Sequence, residues 1–84
     1  LGSGYEARYQ RYMTSVAEDQ RKKFLNRLFD GDSIQMETTI GDVLGSQTWK
    51  IAAAKLDRYY ATAGIKANSA LAMELAHALN RSFR

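Results

Sequence analysis

The chain has 84 residues and a formal net charge of +3, from twelve Lys and Arg against nine Asp and Glu. It contains no cysteine and a single histidine, His77, which excludes disulfide frameworks, thiolate metal sites and multi-histidine metal centres. The mild positive charge permits an acidic partner such as nucleic acid without requiring one, and no apolar run reaches the roughly 18 residues typical of a membrane span.

The first four residues, Leu1-Gly2-Ser3-Gly4, have the composition of a cloning scar or linker, so we predict a single helical domain over residues 5–84. Proline is absent, and no segment alternates apolar and polar residues as a strand does. The sequence therefore predicts an all-α fold, a compact bundle of four or five short helices. We expect a soluble domain of unassigned compartment, because a targeting signal could have been removed.

Apolar residues first recur at helical spacing near the N-terminus. The members of this face are Tyr5, Tyr9, Tyr12, Met13 and Val16. The helix could continue into the next segment, or Ser15 and Glu18 could form a capping box that starts a separate helix, and the sequence leaves both possibilities open. A second apolar patch over residues 24–29 is followed by Asp30-Gly31-Asp32-Ser33, whose composition favours a turn.

The middle of the chain predicts a short helix and then a long one. Thr39 resembles a cap, and Gly45 a stop, for a short helix over residues 39–44. For the long helix, Ser46 can cap the start and Gly64 can adopt the left-handed conformation that ends it. Its apolar stripe consists of Trp49, Ala52, Ala53, Leu56, Tyr59, Tyr60 and Ala63. A stripe of this length predicts the central helix of the bundle.

The last helix is predicted to begin at Asn68 or Ser69, either of which can cap it. Its apolar face consists of Leu71, Leu75, Ala78, Leu79 and Phe83. At least three apolar helix faces therefore have to cover one another, which is the physical reason for a bundle.

The segment Ile40–Ile51 resembles a helix-turn-helix, since it places a small residue, a Leu and a turn Gly in the order of that motif. The resemblance implies DNA binding, with exposed side chains reading base edges and contacting phosphates. The candidate DNA-binding residues are Gln47, Thr48, Lys50, Lys55 and Arg58. The apolar stripe that contains Trp49 lies on a different face from the one that this motif buries, so DNA binding is an alternative and not the main prediction.

Gly31-Asp32-Ser33-Ile34 resembles the Gly-Asp-Ser-Leu or Gly-Asp-Ser-Ile motif of acyl and peptidyl carrier proteins. The resemblance implies a phosphopantetheine arm on Ser33, at the start of a helix. Glu37 stands where the following helix of that family is apolar, and the family is typically acidic. The segment Ser69–Leu75 is similar to the same helix in its apolar spacing, which makes Ser69 a second possible attachment site.

The main prediction is a non-enzymatic helical module that binds another protein or a second copy of itself. Tyrosine and tryptophan supply large, rigid contact area with a polar tip, and they are frequent at the centres of interfaces. Because Tyr59 and Tyr60 are adjacent, they cannot both point into one core, so one should lie at an edge. The candidate partner-binding residues are Tyr5, Tyr9, Tyr12 and Tyr60.

Catalysis, a metal and a cofactor are not expected. No Ser, Thr or Lys has a second histidine, a cysteine or a matched carboxylate at a spacing that would activate it. His77 lies three residues after Glu74, a spacing that is most simply a surface contact on one helix.

Overall fold

The structure is a computed structural model that describes the backbone of residues 3–83 and the side chains of residues 6–83. This part of the chain forms five α-helices. The helices are α1 (Ser3–Ser15), α2 (Glu18–Leu28), α3 (Ser33–Leu44), α4 (Trp49–Ala63) and α5 (Ala70–Ser82). Within that part of the chain there is no strand, and the radius of gyration over Cα atoms is 11.7 Å. The predicted all-α bundle is confirmed.

Side chains and glycines define most helix ends. Asp32, Thr48 and Ser69 are the N-caps of α3, α4 and α5, and each accepts a hydrogen bond of 3.1–3.4 Å from the backbone N–H three residues later. Gly64 ends α4 at φ 74°, a left-handed conformation that glycine adopts without steric penalty. The predicted terminator at Gly64 and the predicted cap at Ser69 are therefore confirmed.

Two predicted helix starts are wrong. The short helix predicted over residues 39–44 begins six residues earlier, because Asp32 caps a helix that runs from Ser33 to Leu44. Ser46 does not cap α4: its side chain is buried and its hydroxyl donates to the Asp42 carbonyl at 3.2 Å, and Thr48 takes the capping role. The structure also places Ser3 and Gly4, predicted as linker, in the first turn of α1.

The two alternatives for the N-terminal region are resolved in favour of separate helices. The N-cap residue of α2 is Ala17, which has no side-chain hydrogen bond, and the Ser15 hydroxyl donates within α1 to the Tyr12 carbonyl at 3.4 Å. The capping box is therefore not formed. Instead, Nη1 of Arg21 in α2 donates to the carbonyls of Met13 and Val16, at 2.9 and 2.5 Å, and so satisfies the C-terminal end of α1.

The centre of the bundle is α5, not α4 as predicted. Helix α5 packs against each of the other four helices, and its buried residues are Ala72, Leu75, Ala78, Leu79 and Ser82. The stripe of α4 faces this core as expected, with Ala52, Leu56 and Tyr60 buried and Trp49 half-buried. Trp49 meets Phe83, at the end of α5, edge to face at 5.7 Å between ring centroids.

Arg8 joins three parts of the bundle from the middle of α1. Its Nη1 donates to the carbonyls of Leu44 and Ser46, at 3.0 and 2.5 Å, where α3 ends and the turn to α4 begins. Its guanidinium also lies over the ring of Phe83, 4.1 Å from the centroid. Helix α3 has no basic residue in its own last turn, so a cation from α1 supplies the charge that favours a helix C-terminus.

We predict that Arg8→Lys lowers the free energy of unfolding by about 1–2 kcal/mol, because a lysine ammonium cannot hold two carbonyls and stack on Phe83 with the geometry of a guanidinium. Arg11→Lys is the matched control, since exposed Arg11 makes one long hydrogen bond, 3.5 Å to the Ser82 carbonyl. That control should change stability by less than about 0.5 kcal/mol. Urea unfolding followed by circular dichroism measures both. Equal losses in the two variants would contradict the role given to Arg8.

Candidate functional site

One of the concave features of the described structure is a groove between α1, α2 and α3, with a volume of about 240 Å³. Its floor is apolar and aromatic, and its rim is polar. The floor residues are Tyr9, Tyr12, Met13, Leu25, Met36 and Ile40, and the rim residues are Glu18, Arg21, Lys22, Ser33 and Glu37. We call this feature the α1–α2–α3 groove.

The packing of the helices explains why the groove exists. Helix α2 packs against α5, whereas α3 packs against α1, α4 and α5. The turn that connects α2 to α3 has positive φ at Asp30 (54°) and Gly31 (79°), which reverses the chain within a few residues. Because α2 and α3 leave this turn toward different neighbours, their facing sides are not filled by each other.

Tyr12 was predicted as a partner-binding residue, but the structure places it in the core, with 1 % of its surface exposed. Tyr12 borders the groove, and its hydroxyl oxygen is buried without a hydrogen-bond partner among the described residues. Burial raises the pKa of Tyr12 well above its ordinary value, and the charge of Arg21 opposes this only in part. The hydroxyl is therefore protonated at neutral pH.

The rim of the groove carries both signs of charge. Glu18 and Lys22, one turn apart on α2, form an exposed ion pair at 4.0 Å, which contributes little to stability. Arg21 is half-buried, and its Nη1 is engaged with the end of α1. Glu37 stands on the α3 side. The rim therefore has no excess charge that would select a strongly anionic or cationic ligand.

Ser33 and Ile34 occupy the first turn of α3, where the groove opens to solvent. Ser33 is exposed and lines the rim, and Ile34 is 75 % exposed. Ile34 is next to Ser33 in the chain and one turn before Glu37, so it lies just outside the polar rim formed by these two residues. Ile34 is not among the binding residues that the sequence predicts. The signal was present, because Ile34 falls outside the stripe of Met36 and Ile40 that faces the core.

Of the other predicted partner-binding tyrosines, Tyr9 is half-buried in the groove floor, and the Tyr5 side chain lies outside the described residues. Tyr60 is 2 % exposed, and its hydroxyl donates to the Ala72 carbonyl at 2.9 Å, so it is a core residue rather than a surface one. Tyr59 lies at the edge instead: it stacks on Phe29, with 4.9 Å between centroids, and donates to the Leu28 carbonyl at 2.6 Å. One of the adjacent tyrosines is at an edge as predicted, but it is Tyr59.

The candidate DNA-binding residues lie at the start of α4 and along its outer side. Gln47 and Lys50 are exposed, whereas the Thr48 hydroxyl caps α4. Lys55 pairs with Asp42 of α3, with Nζ and Oδ1 3.2 Å apart. Arg58 is exposed and lines a depression between α3 and α4. A carboxylate thus occupies one of the proposed phosphate contacts. DNA binding stays a prediction, and no contact in the structure adds to it.

Ser69 differs from Ser33 in its surroundings. Its hydroxyl accepts the N–H of Ala72 as the N-cap of α5, and it lines none of the described grooves. Ser33 is therefore the better placed of the two possible attachment sites.

Among the described residues, no group of three or more His, Asp or Glu could hold a metal ion. No described helix is long and apolar enough to cross a membrane.

Comparison with curated proteins found no significant match, and comparison with solved structures found none either. A family model described as "Domain of unknown function (DUF8457)" matches residues 13–84. This match begins in the last turn of α1 and includes α2 to α5 complete. It therefore contains two walls of the α1–α2–α3 groove and part of the third. The chain belongs to the DUF8457 family.

Proposed function

We propose that this domain is a non-enzymatic interaction module that binds another protein through the α1–α2–α3 groove and the adjoining Ile34. The observation that carries the proposal is an exposed isoleucine next to an apolar groove. A single exposed apolar residue is ordinary on a protein surface, but one beside the rim of an apolar groove can be covered together with that groove by a single partner.

The composition of the groove suits a protein side chain or a short segment of a partner. Met13 and Met36 are flexible and polarisable, so they can adapt to the shape of an inserted side chain. Tyr9 offers rigid contact area, and aromatic residues of this kind often dominate binding energy at interface centres. The mixed charges of the rim, from Glu18, Arg21, Lys22 and Glu37, would surround this apolar centre as a polar rim does in known interfaces.

We predict that a photoreactive benzoylphenylalanine at position 34 captures a protein of discrete mass in the organism that encodes this chain. The control is the same residue at position 51, because Ile51 is also an exposed isoleucine in the first turn of a helix, 44 % exposed, but has no groove residue beside it or one turn away. Mass spectrometry identifies the captured protein, and sedimentation of the purified domain distinguishes a partner from a second copy. Equal capture from both positions, or none from position 34, would contradict the proposal.

With the captured partner purified, Ile34→Asp should weaken binding at least tenfold, since a carboxylate would have to be desolvated at the centre of the contact. Ile51→Asp should change affinity by less than about twofold. Isothermal titration calorimetry measures both constants. Both substitutions add one negative charge at an exposed site, so a difference between them cannot come from net charge alone.

A second candidate function, a carrier domain, is favoured by the position of Ser33. This serine is exposed, is the first residue of α3 after the Asp32 cap, and lies on the rim of an apolar groove. A covalently attached arm at this position could place an apolar cargo over Met36, one turn further along the helix. The basic composition of the chain and the polar residues after Ile34 weigh against it, so it ranks second.

The carrier function predicts that incubation with coenzyme A and a phosphopantetheinyl transferase adds one arm to the protein. Intact-mass spectrometry should detect a single addition that Ser33→Ala abolishes and Ser69→Ala leaves in place, because the Ser69 hydroxyl is engaged as the cap of α5. An unchanged mass for the native chain, with an authentic carrier protein modified in the same reaction, would reject this function.

A further inference from the structure

Two arginines from different helices border a second concave feature, which lies between α1 and α5 and has a volume of about 460 Å³. The lining residues are Gln10, Arg11, Thr14 and Ser15 of α1 and Arg81 of α5. None of these residues lines the α1–α2–α3 groove, so this is a separate part of the surface. We call it the α1–α5 depression.

The lining of the α1–α5 depression carries positive charge and no negative charge. Arg11 and Arg81 are exposed, no lining residue is acidic, and neither arginine forms an ion pair with a described carboxylate. The acidic residue of α5, Glu74, comes two turns or about 10 Å before Arg81 along the helix axis, and its carboxylate accepts a hydrogen bond from Gln20. Because two guanidiniums on one depression repel each other, an anion bound between them is favoured.

The α1 wall of the depression adds hydrogen-bond donors to these charges. Thr14 follows Gln10 by four residues and Arg11 by three, so the three side chains lie on one side of the helix. The Ser15 hydroxyl already donates to a carbonyl within α1, and Nη1 of Arg11 makes one long hydrogen bond, 3.5 Å to the Ser82 carbonyl. A guanidinium has five N–H donors, so Arg11 keeps others for a ligand.

A phosphate monoester matches this set of donors better than a carboxylate does. Near neutral pH it carries a charge of roughly −1.5 to −2 and three acceptor oxygens, so it can accept hydrogen bonds from two guanidiniums at once. A carboxylate has one charge and two oxygens, which a single arginine can satisfy. The lining side chains are all exposed, so the phosphate can be attached to a larger molecule that stays in solvent.

We propose that the α1–α5 depression binds the phosphate group of a phosphate monoester, with Arg11 and Arg81 as its charged partners and Thr14 as an additional donor. Arg11 and Thr14 contact the phosphate from the α1 wall, and Arg81 contacts it from the α5 wall. This site is independent of the protein partner proposed above, because the two sites have no lining residue in common.

Phenyl phosphate is the probe, titrated at constant ionic strength and neutral pH. Two-dimensional NMR of the arginine Nε–Hε groups reports each arginine separately. The signals of Arg11 and Arg81 should shift with one common dissociation constant. The signal of Arg27 should not shift, although Arg27 is also an exposed arginine in the last turn of a helix, because it does not line the depression. Dimethyl phosphate, a diester with a single charge, should bind at least about threefold more weakly.

Arg81→Gln and Arg27→Gln are matched variants, because each removes one positive charge from the last turn of a helix. Arg81→Gln should weaken phenyl phosphate binding about three- to tenfold, since a charge-assisted hydrogen bond is lost. Arg27→Gln should weaken it less than about twofold. Thr14→Val keeps the charge and the shape of the side chain and should weaken binding about two- to threefold. Circular dichroism should show the native helix content for all three, because the replaced side chains are exposed.

A short peptide that contains phosphothreonine, titrated in the same way, distinguishes two sources of the phosphate. Tighter binding than that of phenyl phosphate assigns the ligand to a phosphorylated protein, and weaker binding assigns it to a phosphorylated small molecule. The site is rejected if phenyl phosphate shifts Arg27 as much as Arg11 and Arg81, or if dimethyl phosphate binds as tightly as phenyl phosphate. Equal losses of affinity in Arg81→Gln and Arg27→Gln would also reject it.

Discussion

Two arginine side chains, each bonded to the C-terminal end of another helix, connect the helices of this bundle. Arg8 of α1 satisfies two carbonyls where α3 ends, and Arg21 of α2 satisfies two where α1 ends. Neither α1 nor α3 has a basic residue in its own last turn, so each depends on a neighbour for this charge. A guanidinium suits the task because its donors have fixed directions and remain charged at every physiological pH. Each of these two helix ends is therefore completed by a contact with another helix and not by its own residues.

These contacts also link the walls of the α1–α2–α3 groove. Helix α1 forms one wall and is bonded to the end of α3 by Arg8, while Arg21 bonds α2 to the end of α1. The remaining space exists because α2 and α3 pack on different neighbours.

The sequence predicted helix faces well and helix ends less well. Periodicity identifies which side of a helix is apolar, and so the stripe containing Ala52, Leu56 and Tyr60 faces the core as expected. Caps were ambiguous wherever several candidates stood close together: Ser46 and Thr48 are both good capping residues, and the choice depends on the tertiary contact that buries Ser46. The length of α3 was missed because Asp32 was interpreted as part of a turn when it also starts a helix.

Whether an aromatic residue is fully buried or partly exposed was the hardest feature to predict for the candidate site. Tyr12 and Tyr60 had the composition of interface residues, but tertiary packing buries them, and only Tyr9 of the four predicted tyrosines lies in the groove with a partly exposed, described side chain. Ser33 is the first residue of α3, as the carrier-protein resemblance implied, whereas the residue pattern predicted a turn at this position. The groove itself could not be predicted, because its walls come from three helices whose packing partners are not encoded in any local pattern.

Helix α1 has a consequence for where this domain should be considered to begin. The family match starts at Met13, but three earlier residues of α1 contribute to the packing. Arg8 bonds to the end of α3, Tyr9 lines the groove, and Tyr12 is buried in the core. A protein expressed from Met13 onward would uncover the surface of α5 against which α1 packs. Exposed apolar area of that kind favours aggregation. The folding unit of this chain is thus longer than its family match, and expression boundaries should be set by the packing of α1.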